Sequence, residues 1–214
     1  MKLRHLLPLL VLAFRLQAES PAKTEFVLFD GESLAGWEEH DAGGSGAVEV
    51  VNGEIIIKSG EGISGVIYKK AAELPQTNYE ITLEAKRLEG VDFFCGLTFP
   101  VGSPKTCATL LLSGWGGSVT GISSIDGVDA SENATGHYRK FEDNKWYRVK
   151  LRVTPKNLTA WVNDEKIIDQ DIEGRKVGLR AGPIEEYAPL SLTTYQTKAA
   201  LKNIKVAALP AAQK

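Results

Sequence analysis

An all-β fold, an antiparallel β-sandwich or barrel, is predicted by three observations. Short apolar runs alternate with period two, turn residues recur between them, and no long amphipathic helix interrupts the series. With 214 residues, 43% of them apolar, the chain is long enough for one sizeable domain with a core of its own.

The elements follow in order. Phe26 to Phe29 reads as a first strand closed by Asp30-Gly31, and Ser33 to Trp37 as a turn that tucks Leu34 and Trp37 inward. A glycine-rich loop, Asp41 to Gly46, leads into Val48–Val51 and Glu54–Lys58. These two runs flank Asn52-Gly53, the dipeptide that best accepts the positive φ angles of a two-residue hairpin turn. Gly65–Tyr68 is a short strand, and Lys70–Leu74 a single helical turn before Pro75. In Tyr79–Leu88 the residues Tyr79, Ile81, Leu83 and Ala85 share one face, opposite Glu80, Thr82, Glu84 and Lys86, so one side of that strand is buried. Trp146–Val153 repeats the pattern, with Tyr147, Val149, Leu151 and Val153 inward. Strands at Leu158–Val162, Glu165–Ile168, Val177–Ala181, Leu190–Thr194 and Leu201–Leu209 complete the set, the last expected beside the first.

Between the two alternating strands lies Val91 to Gly127, read as strand, Val-Gly-Ser-Pro turn, strand, Gly-Trp-Gly-Gly bend and strand. It holds both cysteines, Cys95 and Cys107. A turn centred on Val101 sets them opposite each other, where a cross-strand disulfide is geometrically feasible; two buried free thiols are the other reading.

The ends of the chain carry different signals. Lys2, Arg4 and His5 precede the apolar run Leu6–Phe14, and Leu16-Gln17-Ala18 resembles a cleavage site, so residues 1–18 are expected to be a secretory signal peptide. Residues 19–24 form a polar leader, 25–209 the domain and 210–214 a tail. The expected destination is secreted or periplasmic, an oxidising setting compatible with a disulfide. No apolar run reaches the roughly 20 residues needed to cross a bilayer as a helix, so no integral membrane segment is expected. A net charge of −2 without a basic stripe argues against nucleic acid as a partner. No glycine-rich phosphate loop, Cys-x-x-Cys pair or serine nucleophile elbow is present, which argues against nucleotide, zinc and esterase chemistry.

The opening FVLFDGESLAGWE is similar to the Leu-Phe-(Asn/Asp)-Gly-x-x-Leu-x-Gly-Trp motif of the 3-keto-disaccharide hydrolase domain family. KWYRVKLRVTPKNLTAWVNDEKIID resembles that family's later meander, and ALKNIKV its closing strand. The resemblance implies a concanavalin A-like jelly roll, a carbohydrate ligand or substrate, and hydrolysis or elimination at glycosides oxidised at C3. A non-catalytic, lectin-like glycan-binding module is the alternative. The family often carries Asn-Ser-Gly-x-x-x-Arg and Tyr-Glu-x-Gln-x-x-Asp strands. DFFCGLTF and TCATLLLSG stand here instead, so no catalytic position of the family transfers.

Candidate residues therefore come from the chain itself. His137 and Arg139 supply a base and a cation at i, i+2 spacing, able to take a proton and steady an enolate, or else belong to a solvated loop. Glu84 and Asp92 are a possible carboxylate pair across strands. Trp115, between glycines, is either a platform for a pyranose ring or a packed rim residue. Asp126 and Asn133 are expected at the substrate. With Asp129 and Glu132 they also form the oxygen-rich loop in which a structural calcium is conceivable, although no catalytic metal or cofactor is expected.

Overall fold

A computed structural model describes residues 25–210. The expected signal peptide (1–18), the leader (19–24) and residues 211–214 of the tail lie outside the described residues.

In chain order the first strands are β1 (Glu25–Val27), β2 (Trp37–His40), β3 (Val48–Val51), β4 (Glu54–Ile57) and β5 (Ile63–Tyr68). Then come β6 (Tyr79–Glu89), β7 (Cys95–Ser103), β8 (Thr106–Ser113), β9 (Val119–Ser123) and β10 (His137–Tyr138). The series ends with β11 (Tyr147–Val153), β12 (Asn157–Val162), β13 (Glu165–Asp171), β14 (Ser191–Tyr195) and β15 (Lys198–Ala208). One sheet runs β13-β12-β11-β6-β15-β4-β3, with β1 also on β15; the second runs β10-β9-β8-β7-β14-β5-β2. The pairings are antiparallel, and the inner faces of the two sheets share one apolar cluster. This is the sandwich expected, a concanavalin A-like jelly roll.

The local signals explain the first sheet. Val51 pairs with Glu54 around Asn52 (φ 52°) and Gly53 (φ 80°), the two-residue turn that Asn-Gly favours. Leu83 pairs with Val149 and Ile81 with Leu151, so the two alternating strands place their apolar faces side by side in the core. Burial of each such side chain contributes about 1.5–3 kcal/mol, and together they fix the register. β1 lies along β15, Phe26 opposite Val206, as expected. Trp37 is buried, and its indole N–H donates to Leu28 O at 2.7 Å, tying the opening motif together.

Three expectations are corrected. Trp37 opens strand β2 rather than ending a turn. Val177–Ala181 forms no strand; Val177 makes one isolated bridge to Ile125. Cys95 and Cys107 are both free and buried. The turn falls at Pro104-Lys105 rather than at Val101, so Ser103 faces Thr106, and beyond a bulge between Pro100 and Ser103, with Gly102 at φ 77°, Cys107 pairs with Pro100 and Cys95 with Leu112. Cys107 thus lies five positions along β8 from Leu112, the partner of Cys95, and an odd offset sets the two thiols on opposite faces of the sheet, Cys95 in the core.

Candidate active-site cleft

The outer face of the second sheet is built from the residues that alternate with its core positions. On β7, Cys95, Leu97 and Phe99 enter the core, which leaves Gly96 and Thr98 on the outer side. Thr98 and Thr109 bond hydroxyl to hydroxyl at 3.0 Å across β7 and β8, and Thr193 Oγ1 donates to Gly96 O at 3.1 Å from β14. The lack of a side chain at Gly96 is required. A Cβ there would stand 2.4 Å from Thr193 Oγ1 and 3.0 Å from the Phe93 ring. Phe93 thus lies down on the sheet and stacks on Tyr195, ring centroids 6.0 Å apart at 29°.

Above this floor is a cleft of about 580 Å³. Thr109, Leu111 and Ser123 line it from β8 and β9, Tyr195 and Ile63 from β14 and β5. One wall is the bend from Gly114 to Gly117, which carries Trp115. Ser113 (φ 72°), Trp115 (φ 50°) and Gly116 (φ 73°) all have left-handed backbone, an arrangement that costs a non-glycine residue about 1–2 kcal/mol. Asp92 holds it: its Oδ2 accepts the Gly116 N–H at 2.8 Å and its Oδ1 the Phe93 N–H at 2.7 Å. Ser113 Oγ donates to Gly117 O at 3.0 Å and accepts from Arg87 at 2.9 Å, anchoring the bend from below. Strain maintained by several specific bonds at the rim of a cleft is a common mark of a working site.

Arg180 reaches the same place from the opposite wall. Its guanidinium lies 5.7 Å from the centre of the Trp115 ring, within cation–π range, and its Nε is 3.3 Å from Asp129 Oδ2. Asp129 Oδ1 in turn accepts from Ser123 Oγ at 3.4 Å. The remaining wall is the loop at Ala42-Gly43 and the single turn Pro183–Tyr187. Buried Tyr187 joins them by donating to His40 O at 2.9 Å, and His40 Nε2 sits 2.8 Å from Glu186 Oε2. Burial pushes the Tyr187 phenol above its ordinary range, so it remains a donor.

Of the expected site residues, Asp92 and Trp115 stand at the cleft and the others do not. Glu84 alternates with Leu83 and Ala85, both core residues, so it lies on the outer face of the other sheet, where it accepts from Asn203 at 2.8 Å. It therefore forms no pair with Asp92. His137 pairs with Thr120 at the sheet edge; its Nδ1 is 3.3 Å from Thr135 O and its Nε2 is shut away from solvent. Arg139 is spent on Glu165, 2.7 Å away on β13, so His137 and Arg139 do not act together. Asp126 holds Arg175 at 2.9 Å and the Lys176 N–H at 2.8 Å. Asn133 uses its amide on Ile122 O, Val128 O and the Thr135 N–H, stitching its own loop. With Asp126 and Asp129 each facing an arginine, the loop gathers no calcium cage. Among the described residues no group of three His, Cys, Asp or Glu stands close enough to hold a metal ion.

Arg180, Phe93 and Tyr195 were not anticipated. Arg180 sits in Leu-Arg-Ala-Gly-Pro, 65 positions after Trp115 in the chain, and no local pattern connects the two. For Phe93 a signal existed: an aromatic residue next to Asp92 and three positions before Gly96.

Comparisons with known proteins agree with this architecture. The pattern of the family described as "3-keto-alpha-glucoside-1,2-lyase-like domain" matches residues 25–207. A putative glycosyl hydrolase from Parabacteroides distasonis superposes with a TM-score of 0.53 at 14% identity, over 87% of this chain and 94% of that one. The carbohydrate binding module CBM66 from Bacillus subtilis gives 0.51 at 14% identity, over 79% and 94%. A prokaryotic β-1,3-1,4-glucanase (lichenase) derived from a mouse hindgut metagenome gives 0.57 at 8% identity, over 87% and 100%. At these identities the structural matches establish a shared fold. No curated protein matches the sequence.

Proposed function

The chain belongs to the 3-keto-alpha-glucoside-1,2-lyase-like domain family, and on that premise we propose that it cleaves 3-keto-glycosides by elimination in the cleft beside Trp115. The observation that carries this reading is the convergence of Asp92, Trp115 and Arg180 on one opening: a carboxylate, an indole and a guanidinium.

The chemistry asks for three things. A C3 ketone acidifies the proton on C2, so a base must remove it, a positive group must steady the enolate oxygen, and the C1 substituent must leave. Asp92 is the base. Each of its oxygens accepts one backbone N–H and keeps a further acceptor site. Arg180 is the cation for the enolate, held by Asp129 through its Nε so that its remaining planar donors are available to the ketone oxygen. Trp115 offers its ring to the sugar. The C2–H electron pair then forms the C1=C2 bond and the C1–O bond breaks. The departing oxygen keeps the C1–O bonding pair and takes a proton from water entering the open cleft, and the hydroxide so formed takes back the proton that Asp92 removed.

The signal peptide expected at residues 1–18 makes export part of the proposal, with 3-keto-glycosides met outside the cytoplasm. Incubation of the purified protein with 3-keto-trehalose, followed by assay of released glucose, tests the reaction. Release above the protein-free rate supports it. Binding of the sugar without release makes the domain a glycan-binding module instead.

A further inference from the structure

The cleft has two chemically different halves. Across the floor the strand order is β9, β8, β7, β14, β5, so Ser123 on β9 and Ile63 on β5 are four strand spacings apart, about 19 Å. Ser123, Asp129 and Arg180 are linked at the first end, beside Trp115 and Asp92. At the other end are Phe93, Tyr195 and Ile63, with Ile184 closing the side.

Apart from the Tyr195 hydroxyl, that second half offers little to a sugar's hydroxyls. Of its backbone groups, Gly62 O accepts the Gln196 N–H at 3.2 Å and the Gly43 N–H is given to Asp41 at 2.9 Å. The Tyr195 N–H goes to Phe93 O at 3.1 Å. A second hexose placed there would set a ring of hydroxyls against Ile63, Ile184 and the Phe93–Tyr195 pair and leave several of them unpaired, which is costly on desolvation. A flat aromatic group would lose nothing and could extend the existing stack. The volume, about 580 Å³, holds one hexose with one such group.

We propose that the half of the cleft formed by Phe93, Tyr195, Ile63 and Ile184 is a leaving-group subsite for an aromatic aglycone, so that the ligand class is an aryl glycoside rather than a disaccharide. This rests on the sugar occupying the Trp115 end, as in the function proposed above, but its test needs no turnover.

Affinities of the full mature protein for 4-nitrophenyl α-glucoside and for trehalose, measured by calorimetry, decide the matter. The aryl glycoside binds about tenfold or more tightly, and Tyr195→Ala brings the two within about twofold, the loss expected when one stacking partner is removed. Tyr195 is 37% exposed, and its N–H bond to Phe93 survives the change, so the variant folds. Equal affinities in the unaltered protein, or a preference unmoved by Tyr195→Ala, overturn the subsite. The 3-keto forms of the same two compounds then separate the two claims. Preferential binding without release of 4-nitrophenol leaves the subsite standing and removes the elimination. Release from 3-keto-trehalose as fast as from the aryl compound removes the subsite and leaves the elimination.

Discussion

Asp92 Oδ2 and the Gly116 N–H meet at 2.8 Å, and this bond ties the entrance of β7 to the left-handed bend that presents Trp115. The same carboxylate therefore fixes a strained turn and stands at the cleft, where the proposed elimination uses it as the base. Asp92→Asn separates the roles poorly but detectably. Its NH₂ faces one of two backbone N–H donors, so the bend loosens while the negative charge is lost. Turnover is expected to fall by about a hundredfold or more, and the bend's disturbance appears as a change in tryptophan emission. Unchanged turnover in a folded variant would place the base elsewhere.

In the proposed elimination Arg180 contributes to charge stabilisation rather than to the fold. Its side chain is 57% exposed, so loss of its contact with Asp129 costs at most about 1 kcal/mol. Arg180→Ala is expected to lower kcat about a hundredfold or more, the scale of a lost oxyanion donor, with a melting temperature close to that of the parent. Arg180→Lys keeps the charge and recovers only part of the rate, because the planar fork is gone. Equal activity of all three would remove Arg180 from the mechanism.

Tyr187 is a structural test of the cleft wall. Its hydroxyl joins the His40 strand end to the Pro183–Tyr187 turn from a fully buried position. Tyr187→Phe is expected to cost about 1 kcal/mol in urea unfolding, since His40 O loses its donor. No loss of stability would mean that the wall is held chiefly by packing.

The cysteines give a pH prediction. Burial pushes the Cys95 thiol up to about 12 and the Cys107 thiol to about 11, from 9.0. A raised folded value favours the native state below the unfolded value, and the benefit is lost as the pH climbs. Stability should therefore decline progressively from about pH 9 toward pH 12. Buried Tyr79, whose phenol is also pushed up and donates to Pro100 O, adds to the same decline. At pH 8 a thiol reagent should find neither cysteine in the native protein and both in denaturant. Rapid native labelling would contradict the burial of Cys95 and Cys107.

Much of the sandwich was legible because its signals are local. The Asn52-Gly53 turn and the period-two faces of β6 and β11 depend on neighbours two residues away, and each appears where its pattern predicts. The β7–β8 register was not legible: the turn falls at Pro104-Lys105 rather than at Val101, which sets Cys107 and Cys95 on opposite faces, and nothing in TFPVGSPKT demands it. The site follows the same division. Asp92 and Trp115 both fall in the Val91–Gly127 stretch and were legible separately, one as a partner for Glu84 and the other as a sugar platform, whereas Arg180 and Tyr195 arrive from distant segments through tertiary packing. Glu84 and His137 carry suitable chemistry but sit on the wrong face or at a closed edge, a matter of strand parity that composition cannot decide.

The central claim is that a base in this cleft removes the proton on C2 of a 3-keto-sugar. Deuterium exchange at C2 of methyl 3-keto-α-glucoside in D₂O, followed by proton NMR, measures that step directly. Exchange well above the protein-free rate, falling by about a hundredfold or more in Asp92→Asn, is the predicted result. Exchange no faster than without protein, or equally fast in the variant, would contradict it.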